Sequence, residues 1–145
     1  MSESETSAKA NDATEHLGIS AGEPALRTIA MPADANADGD IFGGWVIAQM
    51  DLAGSVPARA RAQGRIATVA MDAVRFHAPV RVGDLVSCYA EIVNVGTTSI
   101  GVRVDTWVSR RLDGAKVRVT EGTLVYVALD EQGRPREISH DIREA

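Results

Sequence analysis

An α+β fold, one long helix packed against a curved antiparallel sheet, is predicted by three features of this 145-residue chain. Apolar residues run from Gly43 to about Gln63 with no polar stripe wide enough for a surface helix, which predicts a largely buried one. Long runs rich in Val, Ile and Thr follow Gly64, and Gly-Asp and Asp-Gly pairs separate them. A sheet of that length, strongly curved, can wrap one face around a single buried helix.

The elements follow in order. Residues 1–22 are mostly Ser, Glu, Ala, Asn and Lys, too poor in large hydrophobes to offset their ordering entropy, and are expected to form a disordered leader. Ala25 to Met31 alternates apolar and polar positions as a short strand does, and Pro32 through Asp40 reads as a loop. Pro57 lies inside the helical span and is expected to kink it or to end its first segment near Val56, with Gly64 as the stop. Four strands are expected at Ile66–Val80, Leu85–Val95, Ser99–Ser109 and Lys116–Leu129, and the turns at Gly83-Asp84 and Asp113-Gly114 favour antiparallel hairpins. The domain is expected to span 23–138, with a charged, flexible tail over 139–145.

With 45% hydrophobic residues the chain suits one compact domain with a single core. A formal charge of -5 lacks the concentrated basic face that nucleic acid needs. The single Cys88 cannot form an intrachain disulfide and is expected to be a small buried hydrophobe in a reducing compartment. No apolar run is long enough to span a bilayer and the N-terminus lacks the pattern of a secretory signal, so a soluble, cytoplasmic protein with no membrane partner is expected.

The chemistry starts at Asp38-Gly39-Asp40-Ile41-Phe42-Gly43-Gly44-Trp45, which runs into Gln49-Met50-Asp51. The first turn of a helix leaves N–H donors unpaired with a partial positive charge behind them, and glycine does not screen them. Gly43 and Gly44 therefore offer a place where an acyl oxygen can gain negative charge. Asp51 sits among apolar neighbours, where a carboxylate has few structural reasons to be and costs much if unpaired. Gly43 and Asp51 are eight residues apart, about 12 Å along a helix axis, so one acyl carbon cannot touch both within one chain. If both act on one bond, the Asp comes from another subunit, and two helices antiparallel across a two-fold would form two equivalent sites.

These residues resemble a known family. Ala30 through Trp45 with Gln49-Met50-Asp51 is similar to the signature of the YciA-like acyl-CoA thioesterases of the hotdog fold. The likeness continues through Gly64–Ala70, Pro79–Asp84, Thr97–Ile100 and Val125–Asp130, and covers about Leu26 to Arg136. It implies a hotdog sheet around the central helix, two hotdogs side by side in a homodimer, often three dimers in a hexamer, and an acyl-CoA substrate hydrolysed without metal or cofactor. By the same match Asp51 corresponds to the catalytic carboxylate, Asn36 to a loop amide that positions water or the thioester, and Gly43 to the oxyanion donor. Gly44, Thr68, Thr97, Thr98 and Ser99 match positions near the substrate. Of the cations that could meet the CoA phosphates, Arg59, Arg61, Arg65, Arg75 and Arg81, Arg65 is the one kept in the expected site. Whether Asp51 acts as base or nucleophile is left open.

Two other readings compete. Hotdog hydratases and dehydratases use a His beside the thioester carbonyl, and His77 is the candidate, although its place before Ala78-Pro79 reads more simply as a strand-end residue. Phe42 stands before the glycines where some hotdog thioesterases carry His. The third reading is a non-catalytic sensor of acyl-CoA; a leader this short cannot form a helix-turn-helix, and a sensor has no need of Asp51.

Overall fold

The computed structural model describes residues 22–140. The chain forms β1 (Leu26–Ile29), a single 3-10 turn at Pro32–Asp34, the helix α1 (Gly43–Ala62), and then β2 (Ile66–Phe76), β3 (Leu85–Val95), β4 (Ser99–Ser109) and β5 (Lys116–Ala128). All five strands join one antiparallel sheet in the order β1-β3-β4-β5-β2, with α1 packed against it. Of the expected leader only Gly22 lies within the described residues, and of the expected tail only Ser139 and His140.

Alternation on the central strands builds the core. Ile100, Val102, Val104 and Val108 of β4 are buried together with Leu124, Tyr126 and Ala128 of β5, and they share a core with Val46, Met50, Ala53, Ala58 and Ala62 of α1. Each fully buried Val, Leu or Met contributes about 1.5–3 kcal/mol relative to exposure. The sheet bends through register shifts at Thr68/Ala70 and Asp72/Arg75 on β2, Ile92/Asn94 on β3 and Thr106/Trp107 on β4. Each such bulge adds local twist, and four of them curve the sheet around the helix.

Four expectations need correction. Pro57 does not end α1, which continues to Ala62. The ring removes one N–H from the ladder, but Ala53, Gly54, Ala58 and Ala62 are buried on both sides of it and hold that stretch on the sheet. The left-handed stop is Gln63 (φ 54°), one residue before Gly64, and its N–H bonds Arg59 O at 2.9 Å. Arg136 completes this end by donating to Ala62 O (2.5 Å) and Leu129 O (3.0 Å), so cations meet the negative pole of the helix.

Third, the turn at Gly83-Asp84 is not a hairpin between neighbours, because β2 pairs with β5 while β3 pairs with β1 and β4. The chain leaves β2 at Phe76 and crosses to the far side of the sheet. The turn is held by Gly83 N to Ala30 O (2.8 Å), and by the buried Asp84, whose Oδ2 accepts from Arg81 N (2.8 Å) and Arg110 Nη1 (2.5 Å). Fourth, α1 is not the largely buried helix expected: Leu52 and Val56, one turn apart, are 57% and 56% exposed. Val69 and Met71 on β2 are exposed too, and among the described residues β2 has a sheet neighbour only on its β5 side.

On the sheet face away from the helix, Asp105 is fully buried between Arg103 and Arg118, and both arginines also pair with Glu121. Asp105 and Glu121 stand directly opposite across β4 and β5, a like-charge pair that only the two arginines make tolerable. Burial pushes the Asp105 carboxyl above its ordinary range, with Arg118 and then Arg103 pulling against it.

Two outcomes are expected. Arg110→Met strands the Asp84 carboxylate in the core and should cost about 3 kcal/mol of stability in urea titrations, with part recovered by adding Asp84→Asn. Cys88 is fully buried beside Thr106, and burial pushes its thiol up to about 11. Because the raised pKa favours the neutral thiol in the fold, its contribution is complete below pH 9 and is lost as pH rises towards 11. Alkylation at pH 8 should be at least about a hundredfold slower in the native protein than in urea.

Candidate active site

The loop before α1 is organised by Asn36. Its Oδ1 accepts from the N–H groups of Asp38 (2.9 Å) and Asp40 (3.1 Å), and its own N–H bonds Asp40 O at 2.7 Å. An Asn that spends its carbonyl oxygen on its own loop keeps the amide NH₂ as the end that can donate outward. The same loop is tied to the helix start, since Phe42 N bonds Asp34 O (3.1 Å) and Ile41 N bonds Val80 O (2.9 Å).

Gly43 is the first residue of α1, and neither its N–H nor that of Gly44 has a partner among the described residues. The Phe76 ring stands over this first turn: a Cβ at position 43 would lie 3.2 Å from it. Beside these donors lies a cavity of about 350 Å³ lined by Ile41, Gly43, Val46, Phe76, His77, Ala78, Pro79, Val80 and Thr120. Its walls are mostly apolar and its edge is an unpaired helix N-terminus, which suits an apolar chain ending in a polarisable carbonyl. Val46 of α1 and Phe76 of β2 line this cavity, while Met50 is buried deeper and Trp45 is not among the lining residues.

Asp51 lies two turns further along α1. Its Oδ1 accepts from Thr68 Oγ1 at 2.7 Å and from the Tyr126 hydroxyl at 3.1 Å, and the same hydroxyl reaches the Asp51 carbonyl oxygen at 2.7 Å. Oδ2 takes no hydrogen bond among the described residues. One carboxylate oxygen is thus anchored and the other is left open to a further donor.

The predicted residues fall into two groups within one chain. Thr68 sits near the start of β2, and Arg65 lies just before that strand. Arg65 O accepts from Leu129 N and Thr98 O from Ala128 N, both at 2.9 Å, which places Thr97, Thr98 and Ser99 at the same end of the sheet as Arg65. Asn36, Gly43, Gly44 and the cavity lie at the other end, next to Phe76 at the close of β2. Asp51 joins the first group through Thr68. Arg61 donates from Nη1 to Ser139 O (2.8 Å).

His77 lines the cavity, nearer the helix start than its sequence context suggested. Its backbone N–H bonds Val119 O (2.7 Å) as a strand-end residue does, and its ring Nε2 lies 3.7 Å from Glu121 at the edge of the charged cluster. Sequence reasoning missed Tyr126. The available signal was a Tyr at an inward-facing position of β5, since a buried phenol requires a partner. Among the described residues no group of three His, Cys, Asp or Glu side chains is placed to hold a metal ion.

The profile of the thioesterase superfamily matches residues 38–115. The acyl-CoA thioester hydrolase YciA of Salmonella typhimurium is 48% identical over 120 residues, covering 81% of this chain and 90% of that one. The hexameric thioesterase y2039 from Yersinia pestis superposes with a TM-score of 0.78 at 47% identity, over 83% of this chain and 98% of that one. Cj0915, a hexameric hotdog-fold thioesterase of Campylobacter jejuni, gives the same TM-score at 43% identity, over 83% and 92% of the two chains. With the helix start, the anchored aspartate and the sheet topology all in place, the chain belongs to the hotdog-fold thioesterase superfamily, among the YciA-like acyl-CoA thioester hydrolases.

Proposed function

We propose that this protein hydrolyses acyl-CoA thioesters to a free carboxylic acid and CoA, at a site shared between two protomers. The observation that carries this reading is Asp51, a half-buried carboxylate whose Oδ1 is tied by Thr68 and Tyr126 while Oδ2 takes no hydrogen bond among the described residues. The thioester oxygen sits at the Gly43 N–H, where the helix terminus stabilises the charge that develops as the carbonyl carbon becomes tetrahedral. Gly44 supplies the neighbouring donor and the Asn36 amide orients the water or the thioester. Asp51 of the partner protomer takes a proton from the attacking water, or attacks the carbonyl itself to give an anhydride that water then opens. CoA leaves as the thiol, and neither route needs a cofactor.

Sharing is supported by the length of the helix and by the edge strand. Gly43 and Asp51 are about 12 Å apart along one helix, so they serve one bond only from different chains. Antiparallel pairing of β2 with its own copy would bring the Thr68 end of one strand to the Phe76 end of the other, and would cover Val69 and Met71. Thr97, Thr98, Ser99 and Arg65 then line the way in for the CoA moiety, on the side that also supplies Asp51. Three such dimers form the hexamer, the assembly reported for the Yersinia and Campylobacter proteins. A reducing cytoplasm suits the one buried free thiol.

A panel of acyl-CoAs with a chromogenic thiol reagent tests the reaction. Release of free CoA is the expected result; hydration of an enoyl-CoA, or tight binding with no turnover, would transfer the assignment to the hydratase or sensor reading. Asp51→Ala should lower kcat roughly a thousandfold while leaving the melting temperature within a few degrees. Asp51→Asn should bind substrate and fail to hydrolyse it, and an undiminished rate in either variant removes Asp51 from the chemistry.

A further inference from the structure

Tyr126 is 1% exposed, and its phenol ends beneath Asp51 in the middle of α1. It stands directly opposite Thr68 across β5 and β2, so both side chains project to the same face of the sheet and their hydroxyls converge on one oxygen, Asp51 Oδ1. Gly54, three residues after Asp51 and on the same side of the helix, is buried. A Cβ at position 54 would lie 2.5 Å from the Tyr126 oxygen, and 3.3 Å from two of its ring carbons. The glycine is the space in which the hydroxyl sits.

We infer that Tyr126, seated by Gly54, is a positioning residue that fixes the Asp51 carboxylate so that Oδ2 alone faces the reacting carbonyl. This rests on Asp51 being the working carboxylate. Rotation of the carboxylate would exchange its oxygens and swing the lone pair away from its target; two donors on Oδ1 oppose that rotation where one would leave a pivot. The phenol has a single proton and two acceptors within reach, Oδ1 and the Asp51 carbonyl. When Asp51 takes up a proton during turnover, the phenol keeps the carbonyl as its acceptor and is not stranded in the core. Burial first, and then the Asp51 charge and hydrogen bond, hold the phenol far above its ordinary range, so it serves as a donor and not as a base.

The test is a double-mutant cycle on Tyr126→Phe and Gly54→Ala, with Asp51→Ala as reference, read as kcat and KM separately. Tyr126→Phe should lower kcat about ten- to a hundredfold, the worth of one hydrogen bond to a charged group, with KM changed by less than about twofold. Gly54→Ala should give a similar loss although the phenol is still present, because the new methyl group displaces it. In the Tyr126→Phe background there is no hydroxyl to displace, and adding Gly54→Ala should cost little more.

An unchanged kcat in Tyr126→Phe, with Asp51→Ala inactive, overturns the positioning role and leaves the hydrolase reading standing. Losses that multiply in the double variant, or a kcat that returns to the wild-type value when assayed well below the melting temperature, assign Tyr126 and Gly54 to the core and overturn it as well. Full activity in Asp51→Ala removes Asp51 from the chemistry and the positioning role with it, while the hydrolase activity itself stands.

Discussion

Everything in the proposed mechanism depends on the rigidity of one helix. Gly43 and Asp51 share α1, and the rise of an α-helix keeps the oxyanion donor and the carboxylate about 12 Å apart whatever the side chains do. No rotamer closes that gap. A helix held on the sheet by Val46, Met50, Ala53, Ala58 and Ala62 cannot bend to close it either. In the proposed dimer the same element acts twice, its N-terminus in one site and its middle in another. The proposed partner chain would cover the exposed Leu52, Val56, Val69 and Met71 and the open side of β2.

Around that helix the fold separates two tasks. In the proposed mechanism the loop led by Asn36, the first turn of α1 and the residues after β2 form the receiving end, beside a cavity with mostly apolar walls. The start of β2, the β3–β4 turn and the end of β5 form the other end, where Thr68 and Tyr126 hold Asp51. Other charges hold the frame. Asp84 and Arg110 fasten the crossing after β2, and the Arg103, Asp105, Arg118 and Glu121 cluster lies on the sheet face away from the helix.

Much of this was legible in the sequence because periodicity and turn chemistry dominate locally. The helix, the strand at Leu85–Val95 and the strand at Ser99–Ser109 lie where alternation and glycine place them. Strand order was not legible. Gly83-Asp84 has the look of a hairpin turn, yet whether it joins neighbours is decided by pairing between residues far apart, such as Ile66 with Ala128. Pro57 misled for a related reason: propensity argues for a break, while burial on both flanks keeps the helix whole. Asp51 stood out as a charge in an apolar stretch, and family likeness supplied Asn36. Tyr126 is ordinary in sequence, and only the fold brings its hydroxyl under Asp51.

The most direct measurement of the shared site is complementation between two defective chains. Asn36→Ala damages the receiving end and Asp51→Ala removes the carboxylate, so each variant alone should be inactive. In a mixed dimer a shared site is rebuilt once, from the intact Asn36 of one chain and the intact Asp51 of the other. An equimolar mixture unfolded and refolded together should then recover about a quarter of the wild-type kcat, because half the dimers are mixed and each holds one working site of two. If Asn36 and Asp51 of the same chain formed the site, every site in the mixture would carry a defect, and the absence of any recovery would contradict the account.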